Sequence, residues 1–180
     1  ARSVGVTMVD IDPAAAALAQ DLVGPAPHGS SPEIVLIASP VSTISQVISD
    51  EIREGFNVGF IDISSVKVNP VVEVSALGLD MSKFLPSHPM AGREVGGAES
   101  ARADLFQGRP WIIDPKGVAP DLLAAGRELI EICGGHIIEM AVGEHDQAVA
   151  LVSHLPQIMS SALAASLEGE IGRASCRERV

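Results

Sequence analysis

The sequence predicts an α/β fold with a doubly wound, mostly parallel sheet and helices on both of its faces. Short apolar runs typical of buried strands alternate with helix-forming stretches along most of the chain. This alternation is the pattern of strand–helix–strand crossover units. The chain has 180 residues, of which 47% are apolar, so one domain with a sizeable core fits and a second full domain does not.

The predicted strands are short apolar segments bounded by turn or capping residues: 4–9, 34–38, 58–63, 84–85, 111–113 and 137–140. The predicted helices lie between and after them: 14–22, 44–52, 66–77, 122–133 and 142–167. Asp12 followed by Pro13 is a typical helix start, with an aspartate N-cap and a proline in the first turn. Thr43 and Gln46 have the spacing of a capping box for the second helix.

The last predicted helix, 142–167, is rich in Ala, Leu and Ser and contains Pro156. A proline inside a helix removes one hydrogen bond, so we expect a bend near Val152. A helix this apolar needs a partner to pack against. The final segment, 172–180, has no apolar periodicity and carries three arginines, so we interpret it as a foreign or scar tail; an ordinary polar C-terminus is the alternative.

Charge and composition argue against several classes of partner. Twelve Lys and Arg against 23 Asp and Glu give a net charge of −11, which repels nucleic-acid phosphates and anionic lipid. With no Tyr, one Trp and four Phe, aromatic platforms for unpaired bases are scarce. No apolar run approaches the roughly 18 residues typical of a membrane span. Two cysteines fit a reduced compartment. We therefore expect a cytoplasmic protein that binds neither nucleic acid nor membrane.

Ligands of open parallel sheets bind beyond the carboxyl ends of the strands. The residues predicted there are Asp10, Ser39 with Pro40, Ser64 with Ser65, and Ser87 with His88. Asp10 favours the ribose diol of NAD over the phosphate of NADP, although an aspartate that caps a loop is equally compatible with this position. The fingerprint G-x-G-x-x-G is absent. Either the chain binds no dinucleotide, or the first strand and its glycine loop lie upstream of Ala1.

His88 is the strongest single candidate for chemistry. It follows a short strand, and two prolines and a glycine constrain the backbone around it. A neutral imidazole is a well-matched general base near pH 7, while a histidine that ties down a loop is the plainer interpretation. His145 and His154 are nine residues apart, which places them on opposite faces of a straight helix, so a surface or core role is expected for each. The histidine and cysteine spacings predict no metal site.

Four phrases in this order resemble the prephenate dehydrogenases: 62–67 (DISSVK), 87–94 (SHPMAGRE), 103–106 (ADLF) with 110–111 (PW), and 152–157 (VSHLPQ). The resemblance runs from about residue 4 to residue 167. It implies a Rossmann domain that binds NAD, followed by a helical domain that completes the substrate site and forms a homodimer. On this basis the chain is a fragment lacking the first strand. Residues 1–141 are the partial NAD-binding domain, 142–171 begin the helical domain, and 172–180 are the tail.

The resemblance also implies roles for residues at the reaction centre. Ser65 would bridge the nicotinamide and the substrate's ring hydroxyl, and His88 would draw the proton from that hydroxyl. Glu94 would orient a substrate-binding arginine of the helical domain. His154 and Gln157 would face the substrate, although some relatives carry a histidine where Gln157 stands.

For the cofactor, the resemblance implies that Asp10 binds the ribose and that Ser39 and Pro40 lie against the adenosine half. The implied activity is the NAD-dependent oxidative decarboxylation of prephenate to 4-hydroxyphenylpyruvate in tyrosine biosynthesis. Arogenate is the alternative substrate, and a nucleotide-binding module without catalysis is the alternative for the chain as it stands. A β-hydroxyacid dehydrogenase would use a catalytic lysine, for which Lys67 is the candidate.

Overall fold

The computed structural model describes residues 4–24, 32–92 and 96–167. Five strands form one sheet in the order β1 to β5: Ile34–Ile37, Gly59–Asp62, Phe84–Pro89, Pro110–Ile113 and His136–Glu139. Neighbouring strands are parallel except β3 and β4, which are antiparallel. The predicted α/β class with a mostly parallel sheet is confirmed.

Six α-helices accompany the sheet in the described residues: α1 Pro13–Val23, α2 Ile44–Arg53, α3 Val68–Ala76, α4 Pro120–Ile132, α5 Val142–Val149 and α6 Leu155–Leu167. Short 3-10 turns lie at Val41–Thr43, Met81–Lys83 and Ala98–Ser100.

The core lies on both faces of the sheet. Consecutive residues of a strand point to opposite faces, and Phe60 and Ile61 of β2 belong to two different apolar clusters. The first cluster packs against α2 and α3 through Ile48 and Val74. The second packs against α4 through Ile130. Each face of the sheet is therefore covered by helices, as a doubly wound fold requires.

The prediction of a strand at 4–9 is wrong for this structure. The segment pairs with no strand of the sheet, whose first strand is β1. Gln20 of α1 satisfies part of its backbone instead: the N–H of Met8 donates to Oε1 of Gln20 over 2.8 Å, and Nε2 of Gln20 donates to the carbonyl of Val6 over 3.0 Å. A strand forms only where a neighbour satisfies its backbone groups, and none of the described strands lies beside this segment.

The two predicted helix starts have different outcomes. Asp12 caps α1, since its Oδ1 accepts the N–H of Ala14 over 2.9 Å, as predicted. The capping box of α2 is wrong. Thr43 ends a 3-10 turn with a ψ of −4° rather than the extended backbone typical of an N-cap. Its hydroxyl donates to the carbonyl of Pro40, and Gln46 bonds to Asp50.

The last helix is continuous from Val142 to Leu167, and it is irregular where the proline predicts it. Residues 150–154, just before Pro156, form a π-helical turn between α5 and α6. This 26-residue helix is long and apolar enough to cross a membrane, with a mean hydropathy of 1.4 over its most apolar window, of which 6% is buried. The expectation that no apolar segment approaches the length of a membrane span is therefore not met by this helix. Such a composition is also typical of a helix in the core of a bundle.

Candidate functional site

The carboxyl ends of the parallel strands β1, β2 and β3 form one edge of the sheet, and three predicted site residues lie there. Ser39 follows β1, Ser65 follows β2, and His88 is the penultimate residue of β3. The Oγ atom of Ser39 is buried and has no hydrogen-bond partner among the described residues. Pro40 and Ser65 are exposed, whereas His88 is half-buried.

The register of β3 carries His88 beyond its neighbour β2. The first three residues of β3 pair with β2 and end at Asp62 opposite Pro86. The last three pair with β4, with His88 opposite Ile112. His88 therefore stands beside the loop that follows β2, where Ser64 and Ser65 lie.

A buried ion pair holds the ends of β2 and β3 together. Nζ of Lys67 donates to Oδ2 of Asp62, to Oγ of Ser64 over 3.1 Å and to the carbonyl of Ser87 over 2.7 Å. Burial lowers the pKa of Lys67, although the charge of Asp62 partly offsets this effect. Since both side chains are almost fully buried, all three lysine hydrogen bonds serve to fix the loop after β2 against β3.

Ser87 fixes the backbone just before His88. Its hydroxyl donates to the carbonyl of Asp62 over 2.9 Å and accepts the indole N–H of Trp111 over 3.2 Å. Strands β2, β3 and β4 are thus tied together at this serine. The position of His88 follows from a rigid support rather than from a free loop.

His88 contacts the last helix through a second histidine. Its Nδ1 lies 2.8 Å from Nε2 of His145 in α5, and the two rings meet edge to face. Nδ1 of His145 lies 2.7 Å from Oδ1 of Asp146. The same carboxylate accepts the backbone N–H groups of Lys67 and Val68 at the start of α3. A continuous chain of hydrogen bonds therefore links His88 to the carboxylate.

The surroundings of His88 keep its imidazole neutral. Burial lowers its pKa to about 4, and the charge of Lys67 acts in the same direction, while the charge of Asp146 opposes this effect. Near neutral pH the ring carries one proton and offers one lone pair. Such a group can accept a proton from a ligand.

Asp146 is held as a carboxylate. Burial raises its pKa, but the hydrogen bonds from the Val68 N–H, the His145 ring and the Lys67 N–H outweigh burial, so the pKa lies below its usual value. Three donors on one carboxylate join α5 to the beginning of α3. The negative charge persists through the neutral range.

The remaining predicted site residues lie apart from this chain of contacts. Asp10 is exposed, and its Oδ1 accepts the N–H of Asp12 over 2.8 Å, which is the local loop-capping arrangement. The prediction that Asp10 would end a strand at the common edge is wrong, because 4–10 forms no strand. His154 and Gln157 are exposed, and Nε2 of Gln157 donates to Ser161 over 3.4 Å. Glu94 lies outside the described residues.

His145 and Asp146 were missed as site residues by sequence reasoning. The helical-wheel comparison of His145 with His154 treated both as surface or core residues, and His145 is fully buried. One sequence signal could have identified the pair. An adjacent His and Asp lie in the first two turns of the helix that follows the last strand.

Other chemistry finds little support at this edge. Burial raises the pKa of the Cys133 thiol, which directly follows α4 and is half-buried. Among residues 4–24, 32–92 and 96–167, no group of three metal-ligating side chains converges. Two hollows of about 260 and 210 Å³ lie at the opposite edge, where β1 and β2 begin, beside Glu33 and Gly59.

Comparison with known proteins decides the family. Residues 1–139 match the family model described as prephenate dehydrogenase, nucleotide-binding domain. The chain belongs to this family. It is 34% identical over 171 residues to a probable prephenate dehydrogenase of Streptomyces niveus, covering 92% of this chain and 47% of that protein. The chain thus spans about half the length of this prephenate dehydrogenase.

Solved prephenate dehydrogenase structures agree. The Aquifex aeolicus enzyme in complex with hydroxyphenyl propionate and NAD⁺ is 28% identical, with a TM-score of 0.78 over 89% of this chain and 59% of that one. A Synechocystis arogenate dehydrogenase is 30% identical, with a TM-score of 0.65 over 77% of this chain and 50% of that one. The family recognition and the Rossmann-like fold predicted from the sequence are confirmed.

The predicted cofactor, NAD, agrees with the nucleotide-binding family and with the NAD⁺ complex of the Aquifex aeolicus enzyme. The position of Ser39 also fits a contact to such a cofactor. Ser39 lies just beyond β1, at the edge where such sheets bind nucleotides, and its buried hydroxyl has no hydrogen-bond partner among the described residues. A ligand bound there would supply the missing hydrogen bond.

Proposed function

We propose that this chain is the nucleotide-binding part of an NAD-dependent dehydrogenase that oxidatively decarboxylates prephenate, with arogenate as the alternative substrate. The observation that carries the proposal is the neutral, half-buried His88 at the end of β3, whose Nε2 has no partner among the described residues. Its lowered pKa keeps the ring unprotonated near neutral pH, before substrate binds.

The chemistry needs one base and correct positioning. His88 takes the proton of the ring hydroxyl while hydride leaves the same carbon, and NAD supplies the acceptor for that hydride. The resulting dienone-like ring loses its carboxylate as carbon dioxide, and the electron pair of the broken bond makes the ring aromatic. Aromatisation drives the step, so the protein contributes mainly orientation and the lone pair of His88.

Other residues carry roles that the family resemblance supplies. Ser65, exposed in the loop after β2, would contact both nicotinamide and substrate hydroxyl. Glu94 would orient an arginine of the helical domain. His154 and Gln157 would face the substrate, and both are exposed on the last helix. His154 interacts electrostatically with His88 and contributes to lowering the pKa of the His88 ring.

For the cofactor we propose that Ser39 and Pro40 contact the adenosine half and that Asp10 binds the ribose. The Asp10 proposal requires the loop 10–12 to exchange its internal hydrogen bond for one to the ribose. The distinction between prephenate and arogenate depends on the side-chain carbonyl or amine. Contacts to that group are expected mostly outside this chain.

The half-length match supports a fragment, with 1–141 as a partial NAD-binding domain, 142–171 as the start of a helical domain and 172–180 as a tail. The exposed apolar side chains of α6, Ile158 and Leu163 among them, are compatible with a bundle that forms a homodimer.

A cytoplasmic location stays a prediction, as does the absence of nucleic-acid and membrane binding. The codons upstream of Ala1 test the fragment proposal: a G-x-G-x-x-G sequence is expected there.

The burial of Lys67 argues against the β-hydroxyacid dehydrogenase alternative. Its residue exposure is 2%, and its ammonium group is bonded to Asp62, Ser64 and Ser87. A catalytic lysine must reach the substrate. Lys67 instead supports the loop on which Ser65 lies.

The substitution His88→Asn in the full-length protein tests the proposal. We expect NAD binding to persist and turnover of prephenate to fall by about 10²- to 10⁴-fold, as for loss of a general base. His136→Asn is the matched control, because His136 is exposed on β5, two strands away from β3. Unchanged turnover in His88→Asn would refute the assignment of the base.

A further inference from the structure

The hydrogen bonds that run from Asp146 to His88 have a defined direction. A carboxylate only accepts hydrogen bonds, and Asp146 already accepts the backbone N–H groups of Lys67 and Val68. At 2.7 Å from Oδ1 of Asp146, Nδ1 of His145 must therefore be the donor. This fixes the hydrogen of His145 on Nδ1.

The direction passes on to His88. His145 is fully buried, and an uncharged imidazole carries its single hydrogen on one of its two ring nitrogens. A neutral His145 with its hydrogen on Nδ1 has a bare Nε2, which accepts. Nδ1 of His88, 2.8 Å away, is then the donor. A neutral His88 with its hydrogen on Nδ1 has its lone pair on Nε2.

We propose that Asp146 and His145 are positioning residues that fix the tautomer of His88, so that Nε2 is the atom that accepts the substrate's proton. The last clause rests on the proposed function, whereas the tautomer does not. When His88 becomes protonated, its bond to His145 becomes charge-assisted. The carboxylate of Asp146, at the other end of the chain of bonds, stabilises the new positive charge.

The inference assigns a catalytic contribution to the last helix. Both positioning residues belong to α5, whereas His88 belongs to the sheet. Asp146 also receives the first N–H groups of α3, so a shift of α5 would disturb the start of α3 and the ring of His88 together. The base is ready only when α5 is docked.

Nitrogen NMR of the imidazole rings in the 180-residue chain tests the tautomer directly. Long-range proton–nitrogen correlations near neutral pH distinguish a protonated from a bare ring nitrogen, and His88→Gln assigns the signals. We expect His88 to show a protonated Nδ1 and a bare Nε2. A protonated Nε2 would overturn the proposal, because it would mean that His145 donates to His88.

Asp146→Asn tests the role of the carboxylate. An amide has one acceptor oxygen and two donor hydrogens, so it can donate to Nδ1 of His145 and reverse both histidines. We expect a shift of His88 toward the form with the hydrogen on Nε2. An unchanged His88 signal in a folded variant would refute the role of Asp146.

Asp114→Asn is the matched control. Oδ2 of Asp114 accepts the N–H of Val142 over 3.0 Å, so this carboxylate also anchors α5, but none of its hydrogen bonds goes to a histidine. We expect its His88 signals to match the wild type. The wild-type spectrum decides the tautomer even if a variant fails to fold. Normal turnover in full-length His88→Asn would remove the proposed function while leaving the tautomer intact.

Discussion

Nδ1 of His88 lies 2.8 Å from Nε2 of His145, although 57 residues separate the two in the chain. The contact joins the end of β3 to α5, which the domain proposal assigns to the beginning of the helical part. It makes α5 a component of the candidate catalytic edge as well as a connection to further helices. Substitutions in α5 should therefore affect the chemistry of His88, not only assembly.

The first prediction concerns stability in acid. The pKa of His88 falls from 6.5 to about 4 on folding, so between these pH values the unfolded chain binds the proton and the folded chain does not. The stability that neutral His88 contributes is complete above pH 6.5 and is lost as the pH falls toward 4. Urea unfolding at several pH values measures this loss.

His88→Gln supplies the comparison for this prediction, because glutamine does not titrate. Protonation of Asp146 in acid also lowers the free energy of unfolding, since the pKa of this group is lowered in the folded state. The wild type and the variant share that loss. We expect the free energy of unfolding of the wild type to fall more steeply than that of the variant over this range. Parallel curves would contradict the lowered pKa of His88.

The second prediction concerns the buried ion pair. Lys67→Met leaves the carboxylate of Asp62 buried without its cation, which typically costs about 3–5 kcal/mol. Combining it with Asp62→Asn removes the unpaired charge while keeping an oxygen for the N–H of Ser64, so the double variant should be more stable than Lys67→Met alone. Denaturant unfolding measures both.

Arg102→Met is the control for the ion-pair prediction. Arg102 and Asp104 form an exposed pair, and such pairs contribute about 0–1 kcal/mol. A loss of similar size from Arg102→Met and Lys67→Met would show that the buried pair does not hold β2 against β3.

Local sequence patterns correctly predicted the strands of the buried sheet. They failed for features that depend on other parts of the structure, namely the strand at 4–9 and the capping box of α2. The apolar runs at 34–38 and 58–63 became β1 and β2 because the two strands pair with each other and apolar side chains of both join the core clusters. The equally apolar run 4–9 formed no strand because no described strand pairs with it. The capping box failed because the turn before α2 gave Thr43 the wrong backbone conformation.

The residues of the candidate site likewise fall into those that local sequence patterns predict and those that depend on tertiary packing. Ser39, Ser65 and His88 were predicted at one edge, because the carboxyl ends of parallel strands coincide. His145 and Asp146 could not be assigned this way, since their place beside His88 depends on how α5 docks. The sequence offers Lys67 only as a rival catalytic lysine, because its burial depends on the register of β2 and β3.

The third prediction concerns the packing of α4 on β3. A Cβ atom at Gly126 would lie 2.4 Å from Cδ2 of Leu85, which is completely buried. Gly126→Ala gains at most about 1 kcal/mol of helix propensity, whereas overpacking typically costs about 1–3 kcal/mol. We expect a net loss of thermal stability. Leu85→Val should relieve it in the double variant.

Gly143→Ala is the matched control, because a Cβ at Gly143 in α5 meets no atom within 4 Å. Here the helix propensity acts alone, and a gain of roughly 0.5–1 kcal/mol is expected. Equal effects at the two glycines would mean that α4 does not pack closely on Leu85.

The last prediction concerns the 180-residue chain itself, which we expect to bind NAD poorly. A dinucleotide's pyrophosphate needs the backbone N–H groups of a glycine turn and the positive end of the helix that follows, and the sequence contains no G-x-G-x-x-G. Ser39, just after β1, offers a buried hydroxyl but no such cradle. Calorimetric titration of NAD into the purified chain measures the affinity, with the full-length protein as the positive control. Micromolar binding by the 180-residue chain would show that it holds a complete cofactor site and would overturn the fragment proposal.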